Sequence, residues 1–314
     1  MTTLAMAILF FPATVLAAYP GANGRILYVD RGNVGAHLIV VNSDGTNPVD
    51  LTGSLAMEIG RATWSPDGTR IAFTGYPLES SQDVRLYLAD ETGAPFQEVP
   101  IAPVRDAGNA TWSPDGTRIA FSGVNDSGFH ALFVVNTDGT GLAQVSSPAD
   151  EFIYFSLAWS PRGDALLFAG LLIPPCPVGP CSTPDSDAEV YLFTLSSGVV
   201  TRLTVNGVLE ETASWSPDGG RVVFDRIVQD GPCSLVVLDL ATRQETDVSP
   251  SQSPNRCSLS PAWSPDGSSI AYISSTTVHQ TDNEVFVKGV RGKGKHAITG
   301  GPYHFWPDWQ PVPE

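Results

Sequence analysis

The fold of this chain is decided by residues 62–75, which read Ala-Thr-Trp-Ser-Pro-Asp-Gly-Thr-Arg-Ile-Ala-Phe-Thr-Gly. The same pattern returns five times, almost unchanged in the next copy and reduced to Pro-Asp-Trp-Gln-Pro in the last. The later copies lie at 110–123, 157–170, 213–224, 261–272 and 307–311. Their tryptophans follow one another at intervals of 48, 47, 56, 48 and 46 residues, and they are Trp64, Trp112, Trp159, Trp215, Trp263 and Trp309. A period of this length is typical of proteins built from repeated supersecondary units.

Each repeat unit is predicted to contain four short strands. The first strand ends at Trp, and Ser-Pro-Asp-Gly forms a turn, because Pro presets φ, Asp accepts backbone hydrogen bonds and Gly adopts positive φ. The Ile-Ala-Phe run is the second strand, and an apolar run such as 132–135 is the third. A second Asp-Gly turn, as at 138–139, leads to a short fourth strand that ends near Leu-Thr, as at 203–204.

Four antiparallel strands repeated about every 49 residues predict the blades of a β-propeller. The N-terminal strands, residues 25–52, lack a first strand, whereas the copy around Trp309 has a first strand only. Together these two segments complete one blade. We therefore predict an all-β, six-bladed β-propeller of four-stranded antiparallel blades, closed by the C-terminal strand joining the N-terminal blade.

The Trp-Ser-Pro-Asp-Gly units, with the downstream Asp-Gly turn and the Leu-Thr ending, resemble the TolB-like propeller repeat, a relative of WD-repeat propellers. The resemblance covers residues 24–314, and the third copy departs from it with Arg162 in place of Asp. It implies a propeller and a role in an envelope transport system. We expect residues 19–314 to form one propeller domain, without the α/β domain that precedes the propeller in TolB, because the first strand begins so early.

The charge balance excludes some classes of partner. The chain carries 33 acidic and 17 basic side chains, a net charge of −16. A protein that binds nucleic acid needs a basic surface, so nucleic acid is not expected as a partner. An anionic lipid surface is disfavoured for the same reason.

The N-terminus resembles an export signal. Residues 4–17 are almost entirely apolar, and no charged side chain precedes Arg25. The run is shorter than a spanning helix and is followed by small residues, which predicts a signal peptide over residues 1–18, cleaved after Ala17 or Ala18. The alternative is an uncleaved N-terminal anchor. The rest of the chain has no long apolar run, so we expect no membrane span after cleavage and a secreted or periplasmic protein.

The four cysteines fit an oxidising compartment. They are Cys176, Cys181, Cys233 and Cys257, and none of them has C-x-x-C spacing. Four cysteines allow three pairings, of which we favour 176–181 and 233–257, because each pair would join nearby loops. The alternative is four free, buried thiols in a cytoplasmic protein.

Function is expected in the loops that differ between blades. The inter-blade segments and the connections between second and third strands lie at one end of the ring, and they carry 15 acidic and four basic side chains, net −11. The repeated Asp residues of the turns are expected to form turns, not a site. The candidate binding residues on this acidic face and at the channel mouth are Arg61, Asp106, Asn109, Asp150, Glu151, Tyr154, Phe155, Glu210, Glu211 and His304.

The leading interpretation is a monomeric binding or scaffold protein that recognises a protein or cell-envelope ligand through this acidic face. The simpler explanation, acidic loops that only aid solubility, stays open. No hydrolase signature of the G-x-S-x-G type is present, and no cofactor is expected, although a divalent cation on the acidic face is an open alternative. The second hypothesis is a metal-dependent lyase or hydrolase in the central channel, with His279, His304 and Glu211 as candidate ligands.

Overall fold

The Ser-Pro-Asp-Gly turns are self-contained units held by their own side chains. In the copy that follows Trp112, the Ser113 hydroxyl donates to Asp115 Oδ1 over 2.6 Å, and the same oxygen accepts the backbone N–H of Thr117 at 3.0 Å. Gly116 completes the turn with φ of 67°. Burial raises the pKa of Asp115, but these hydrogen bonds outweigh it and lower that pKa below its usual value. The repeated Asp is therefore a turn residue in this structure.

The computed structural model describes residues 20–32, 35–53, 57–79, 83–93, 95–147, 152–173, 188–228, 233–248, 256–276, 282–291, 294–301 and 303–313. In these ranges the chain forms 24 strands, arranged as six four-stranded antiparallel sheets. The all-β, six-bladed β-propeller predicted from the repeats is confirmed.

The first three blades contain the N-terminal half of the chain and its last strand. Blade 1 contains β24 (His304–Val312), β1 (Ala22–Arg31), β2 (Ala36–Val41) and β3 (Val49–Asp50). Blade 2 contains β4 (Met57–Trp64), β5 (Arg70–Pro77), β6 (Arg85–Asp90) and β7 (Gln97–Val99). Blade 3 contains β8 (Arg105–Trp112), β9 (Arg118–Val124), β10 (His130–Asn136) and β11 (Ala143–Gln144).

The other three blades follow in chain order. Blade 4 contains β12 (Phe152–Trp159), β13 (Ala165–Leu172), β14 (Glu189–Thr194) and β15 (Val199–Arg202). Blade 5 contains β16 (Ala213–Trp215), β17 (Arg221–Ile227), β18 (Cys233–Asp239) and β19 (Glu245–Asp247). Blade 6 contains β20 (Cys257–Trp263), β21 (Ser269–Ser275), β22 (Glu284–Gly289) and β23 (His296–Ala297).

The ring is closed by the two ends of the chain. Strand β24 pairs antiparallel with β1, so that Ile26 lies opposite Trp309 and Leu27 lies opposite Asp308. The C-terminal strand therefore supplies the innermost strand of blade 1, as the incomplete first and last repeats predict.

The repeat tryptophans pack between neighbouring blades and are at most 8 % exposed. The indole N–H of Trp112 donates to the Thr63 carbonyl of blade 2 at 3.3 Å, and that of Trp215 donates to the Ala158 carbonyl of blade 4 at 3.2 Å. The indole nitrogens of the other four have no partner among the described residues; these are Trp64, Trp159, Trp263 and Trp309. Among the described residues, two of the six indole N–H groups thus have an acceptor, in each case a carbonyl of the preceding blade.

An arginine reinforces four of these junctions. The arginine at the start of the second strand of one blade lies over the indole of the next blade, where a guanidinium is attracted to the ring face. The guanidinium carbons lie 4.6–5.6 Å from the ring centroids in the pairs Arg25–Trp64, Arg70–Trp112, Arg118–Trp159 and Arg221–Trp263. At these four junctions the two blades are therefore held together by both an apolar and an electrostatic contact.

A disulfide joins blades 5 and 6. Cys233 begins β18 and Cys257 begins β20, and the two are bonded, as one of the predicted pairings requires. Cys176 and Cys181 lie outside the described residues, so their predicted pairing stays a prediction. The predicted signal peptide, residues 1–18, also lies outside them. Within the described ranges, no helix has the length and apolar character that crossing a bilayer demands.

Candidate functional site

The two ends of the ring differ in their construction. The innermost strands of blades 2 to 6 end at their Trp, beside a Ser-Pro-Asp-Gly turn or, in blade 4, a Ser-Pro-Arg-Gly turn. In blade 1, β24 continues past Trp309 to Val312. We call the end with these turns the turn face. The inter-blade segments and the connections between second and third strands lie at the opposite end, which we call the variable face. The central channel runs between them, lined by the six innermost strands.

Several residues that directly precede a repeat tryptophan in the sequence are polar, and their side chains form a belt around the channel. Thr111 Oγ1 accepts the backbone N–H of Trp159 at 3.2 Å, and Ser214 Oγ accepts that of Trp263 at 3.3 Å. Asp308 takes the same place in blade 1. The belt therefore ties blade 1 to blade 2, blade 3 to blade 4 and blade 5 to blade 6, because its side-chain oxygens accept main-chain N–H groups of the next blade. It borders a channel cavity of about 70 Å³ that Arg61 and Asp308 also line.

Asp225 is a buried carboxylate beside the channel that the sequence analysis did not select. Its oxygens accept the N–H groups of Glu211 at 3.0 Å, Thr212 at 2.8 Å and Ser260 at 2.9 Å, and also the Thr212 hydroxyl. Burial raises its pKa, while these donors oppose the rise. Asp225 thus braces blade 5 against blade 6.

A repeat-position signal could have identified Asp225. The residue after the conserved aromatic of the second strand is Thr74, Ser122, Ala169 or Ile273 in the other W-S-P-D-G copies, and only the fourth copy has a charged side chain there. A charge at a position that is otherwise small or apolar indicates a special environment.

Arg61 lies inside the channel rather than at its mouth. Its Nη1 atom is buried and has no hydrogen-bond partner among the described residues. Burial lowers the pKa of Arg61, and the carboxylates of Asp308 and Asp225 partly restore it. The channel therefore contains one guanidinium opposed by carboxylates from blades 1 and 5.

Glu211 and Glu210 are neighbours with different environments. Burial raises the pKa of Glu211 to about 7, and the adjacent Asp225 charge adds to the rise. Glu210 is fully buried, but its carboxylate accepts from Arg226 at 2.9 Å and from Asn206 at 2.8 Å. Glu211 is therefore a half-buried acid that titrates near neutral pH, whereas Glu210 is a structural ion-pair partner.

Two further predicted site residues, Asn109 and Tyr154, are structural in this fold. The Asn109 amide donates to Ser122 Oγ at 3.2 Å and to the Tyr154 carbonyl at 3.0 Å, which links blades 3 and 4. Tyr154 itself is 8 % exposed and packs against Phe152 and Phe168, so the expected exposed anchor is wrong for this residue. Its neighbours along the strand explain why: alternation within β12 turns Tyr154 into the core and leaves Phe155 37 % exposed.

His304 is also buried. Its Nδ1 lies 2.8 Å from Thr299 Oγ1, and its ring packs edge-on against Tyr28. Burial lowers its pKa below the usual value, which favours the neutral imidazole. Of the other candidates, Asp106 is exposed at the start of β8, and Asp150 and Glu151 lie outside the described residues.

The described residues contain no group of three or more His, Cys, Asp or Glu side chains arranged to hold a metal ion. His279, one of the ligands considered above, lies outside those ranges.

An aromatic cluster at the channel mouth was also missed. The Arg31 guanidinium lies over the rings of Phe305 and Trp306, with its carbon 5.3 and 5.2 Å from their centroids, and it pairs with Glu58 at 3.4 Å. Tyr303 is 45 % exposed beside it. Both Tyr303 and Trp306 have positive φ, 76° and 48°, which is unusual for bulky residues.

Apolar side chains are concentrated on the variable face. Ten large apolar residues are exposed within the described ranges, and seven of them lie at this end. The seven are Leu78, Phe129, Phe155, Leu172, Val205, Val228 and Tyr303. The face thus combines apolar side chains with the net −11 of its loops.

Comparisons with known proteins agree with this architecture. The profile of the TolB beta propeller domain matches residues 17–257. Among solved structures, TolB from Acinetobacter baumannii has a TM-score of 0.71 at 19 % identity, over 92 % of this chain and 67 % of that one. A putative TolB from Agrobacterium tumefaciens has 0.68 at 17 % identity, over 93 % and 100 %. A chain of a nidogen–laminin complex has 0.67 at 9 % identity, over 92 % and 99 %. No curated protein sequence matches.

Proposed function

Because this chain belongs to the TolB β-propeller family, we propose that it is a binding or scaffold protein that recognises a protein or cell-envelope ligand through its variable face. The observation that carries the proposal is the concentration of seven of the ten exposed large apolar side chains on the face whose loops carry a net −11. Apolar side chains within a charged surround are the composition of a protein-binding surface.

The partner should present basic residues around an apolar centre. The acidic loops attract cationic groups and accelerate encounter, whereas the apolar side chains supply most of the affinity. Phe155 and Tyr303 are suited to be anchors, because aromatic side chains dominate the energetics of interfaces. A divalent cation held among the acidic loops is part of the same proposal, since it would respond to the same field.

We place the protein in the secreted or periplasmic space as a monomer. The support for this location is the apolar N-terminal segment and the disulfide between Cys233 and Cys257, a bond that persists in oxidising compartments. In this proposal residues 1–18 are removed on export and residues 19–314 form the mature propeller.

Affinity capture with matched variants tests the binding surface. The wild-type propeller, Phe129→Asp and the control Val199→Asp are immobilised and exposed to envelope extract at about 50 mM and 500 mM salt. Val199 is 54 % exposed, more than Phe129 at 44 %, but it lies near the turn face.

We expect a partner that is retained by the wild type and by Val199→Asp at low salt, and lost from Phe129→Asp and at high salt. Retention that is insensitive to salt would remove the electrostatic part of the proposal. Equal loss in both variants would remove the assignment to the variable face.

A channel enzyme is the second candidate function, and Glu211 is the observation that favours it. A carboxyl group with a pKa of about 7 in a channel is suited to general acid–base chemistry. Metal analysis of the purified protein, followed by activity screening of wild type and Glu211→Gln, tests this candidate. A metal-free preparation without activity that depends on Glu211 would contradict it.

A further inference from the structure

The junction between blades 4 and 5 differs from its neighbours in one residue. At four junctions an arginine covers the tryptophan of the following blade, whereas the corresponding residue of blade 4 is Ala165. A methyl group cannot replace the guanidinium over the ring. Trp215 is accordingly the most exposed of the six repeat tryptophans, at 8 % against 0–6 % for the others.

A cavity lies beside Ala165 at this junction. It has a volume of about 370 Å³ and is lined by both Ala165 and Trp215. Leu192 and Leu240 form part of its apolar wall. The volume is more than ten times the roughly 30 Å³ that one water molecule occupies in the liquid, so an organic group fits.

The cavity is lined by a turn glycine, and at another junction the carbonyl of the equivalent glycine accepts a hydrogen bond from an arginine. At the junction of blades 2 and 3, Arg70 stacks on Trp112, and its Nη2 donates to the Gly116 carbonyl at 2.9 Å. The equivalent turn residue of blade 5 is Gly219, which lines the cavity.

Two charged side chains also line the cavity. Asp164 is exposed, and its Oδ1 accepts the Ser160 hydroxyl at 2.5 Å, so its carboxylate is held close to the wall. Arg162 is exposed as well and contributes one positive charge. The charges of this pair cancel locally, and the net −16 of the chain still favours a cation.

We infer that this cavity binds a guanidinium cation that stacks on Trp215 and donates to the Gly219 carbonyl and the Asp164 carboxylate. The ligand takes the place that Arg70 occupies at its own junction. The guanidinium comes either from an arginine side chain in a protein segment or from a small free compound. The site lies on the turn face and is independent of the proposed variable-face function.

Calorimetric titration tests the site with three probes: methylguanidinium, acetyl-Gly-Arg-Gly-amide and the citrulline analogue of that peptide. We expect the two guanidinium probes to bind one site, with a Kd on the order of 1 mM for methylguanidinium, and the neutral citrulline peptide to bind at least about tenfold more weakly. A tighter Kd for the arginine peptide than for methylguanidinium assigns the source to a protein segment, and the reverse order assigns it to a free compound.

Reciprocal variants separate this site from adventitious binding. Ala165→Arg restores the internal stack and should weaken binding at least about tenfold, whereas Ser269→Arg, the same kind of change beside Trp309, should leave it unchanged. Arg70→Ala uncovers Trp112 and should create a second equivalent site. The inference is overturned if neither guanidinium probe binds, if citrulline binds equally well, or if folded Ala165→Arg retains wild-type affinity. If Ala165→Arg does not fold, an unchanged stoichiometry in Arg70→Ala overturns it.

Discussion

Asp308 Oδ2 accepts the backbone N–H of Trp64 over 2.8 Å, so the last strand of the chain is bonded to the first strand of blade 2. The same oxygen accepts the Thr63 hydroxyl at 2.9 Å. At other junctions a neutral Thr or Ser hydroxyl makes the corresponding contact. The junction between blade 1, which holds both ends of the chain, and blade 2 thus has a carboxyl acceptor where two other junctions have a hydroxyl. Burial raises the pKa of Asp308, and the hydrogen bonds that it accepts and the Arg61 charge oppose the rise.

Replacement of Asp308 by Ala should destabilise the ring more than loss of a neutral belt residue. The change leaves the Trp64 N–H without its acceptor and removes the carboxyl group that faces Arg61, which together should cost about 3 kcal/mol. Thr111→Val, the matched control at an equivalent position, should cost about 1 kcal/mol. Denaturant unfolding of both variants measures the difference, and equal losses would contradict a special role for the closing strand.

Arg70→Ala should lower the free energy of unfolding by about 1–2 kcal/mol. The variant loses the stacking contact with Trp112 and the hydrogen bond to the Gly116 carbonyl. Arg291 is exposed, and Arg291→Ala should change stability by less than about 0.5 kcal/mol. Thermal melts of the two variants at equal ionic strength provide the comparison. A similar change in melting temperature in both variants would indicate that the loss of one positive charge, and not the contact with Trp112, causes the destabilisation.

Glu211 should make the propeller less stable as the pH rises through neutrality. Its folded pKa of about 7 lies above its ordinary value of 4.5, so the folded state keeps a proton that the unfolded state releases. The associated stability is fully present below pH 4.5 and is lost as the pH rises through about 7, by about 2 kcal/mol after allowance for partial exposure.

Glu211→Gln removes this titration. The free energy of unfolding of the variant minus that of wild type should be larger at pH 8 than at pH 4.5. Denaturant unfolding of both proteins at both pH values measures this difference. Asp106→Asn, an exposed change on the same face, should show no such gain. A parallel pH profile for wild type and Glu211→Gln would refute the burial of this carboxyl group.

Loss of the Cys233–Cys257 disulfide should destabilise the protein by about 3 kcal/mol. The bond closes a loop with a sequence separation of 24, and cross-linking a loop of that length restricts the unfolded chain by about this amount. The double variant with Cys233→Ser and Cys257→Ser should lose as much free energy of unfolding as wild-type protein that has been unfolded, reduced and refolded. Because both cysteines are buried, native protein should resist reduction until it opens.

The repeat alone was sufficient to predict the architecture. Each Trp-Ser-Pro-Asp-Gly copy contains a turn whose hydrogen bonds are local, as Ser113, Asp115 and Thr117 illustrate, so its structure depends little on the rest of the chain. The incomplete first and last copies also predicted that β24 closes blade 1. The Cys233–Cys257 pairing, one of the two favoured from the sequence, is confirmed, although the two cysteines lie at the starts of β18 and β20 and not in loops.

The environment of individual side chains was less predictable. Tyr154 and Phe155 are adjacent aromatic residues near the start of β12, yet Tyr154 is buried and Phe155 is exposed, because side chains alternate along the strand and Phe155 lies at a bulge between Tyr154 and Ser156. Arg61 was expected at the channel mouth and lies within the channel. His304 was expected to be accessible and is held by Thr299 and Tyr28.

The number of blades, their strand content and the closure of the ring can be predicted from the sequence, because they depend on local turns and on a period along the chain. Which charges meet depends on the closed ring. Asp225, Asp308 and Arg61 come from blades 5, 1 and 2, and the closed ring brings them to one channel. It also decided that Ala165 leaves Trp215 uncovered, since that contact crosses a blade junction and depends on the relative position of two sheets.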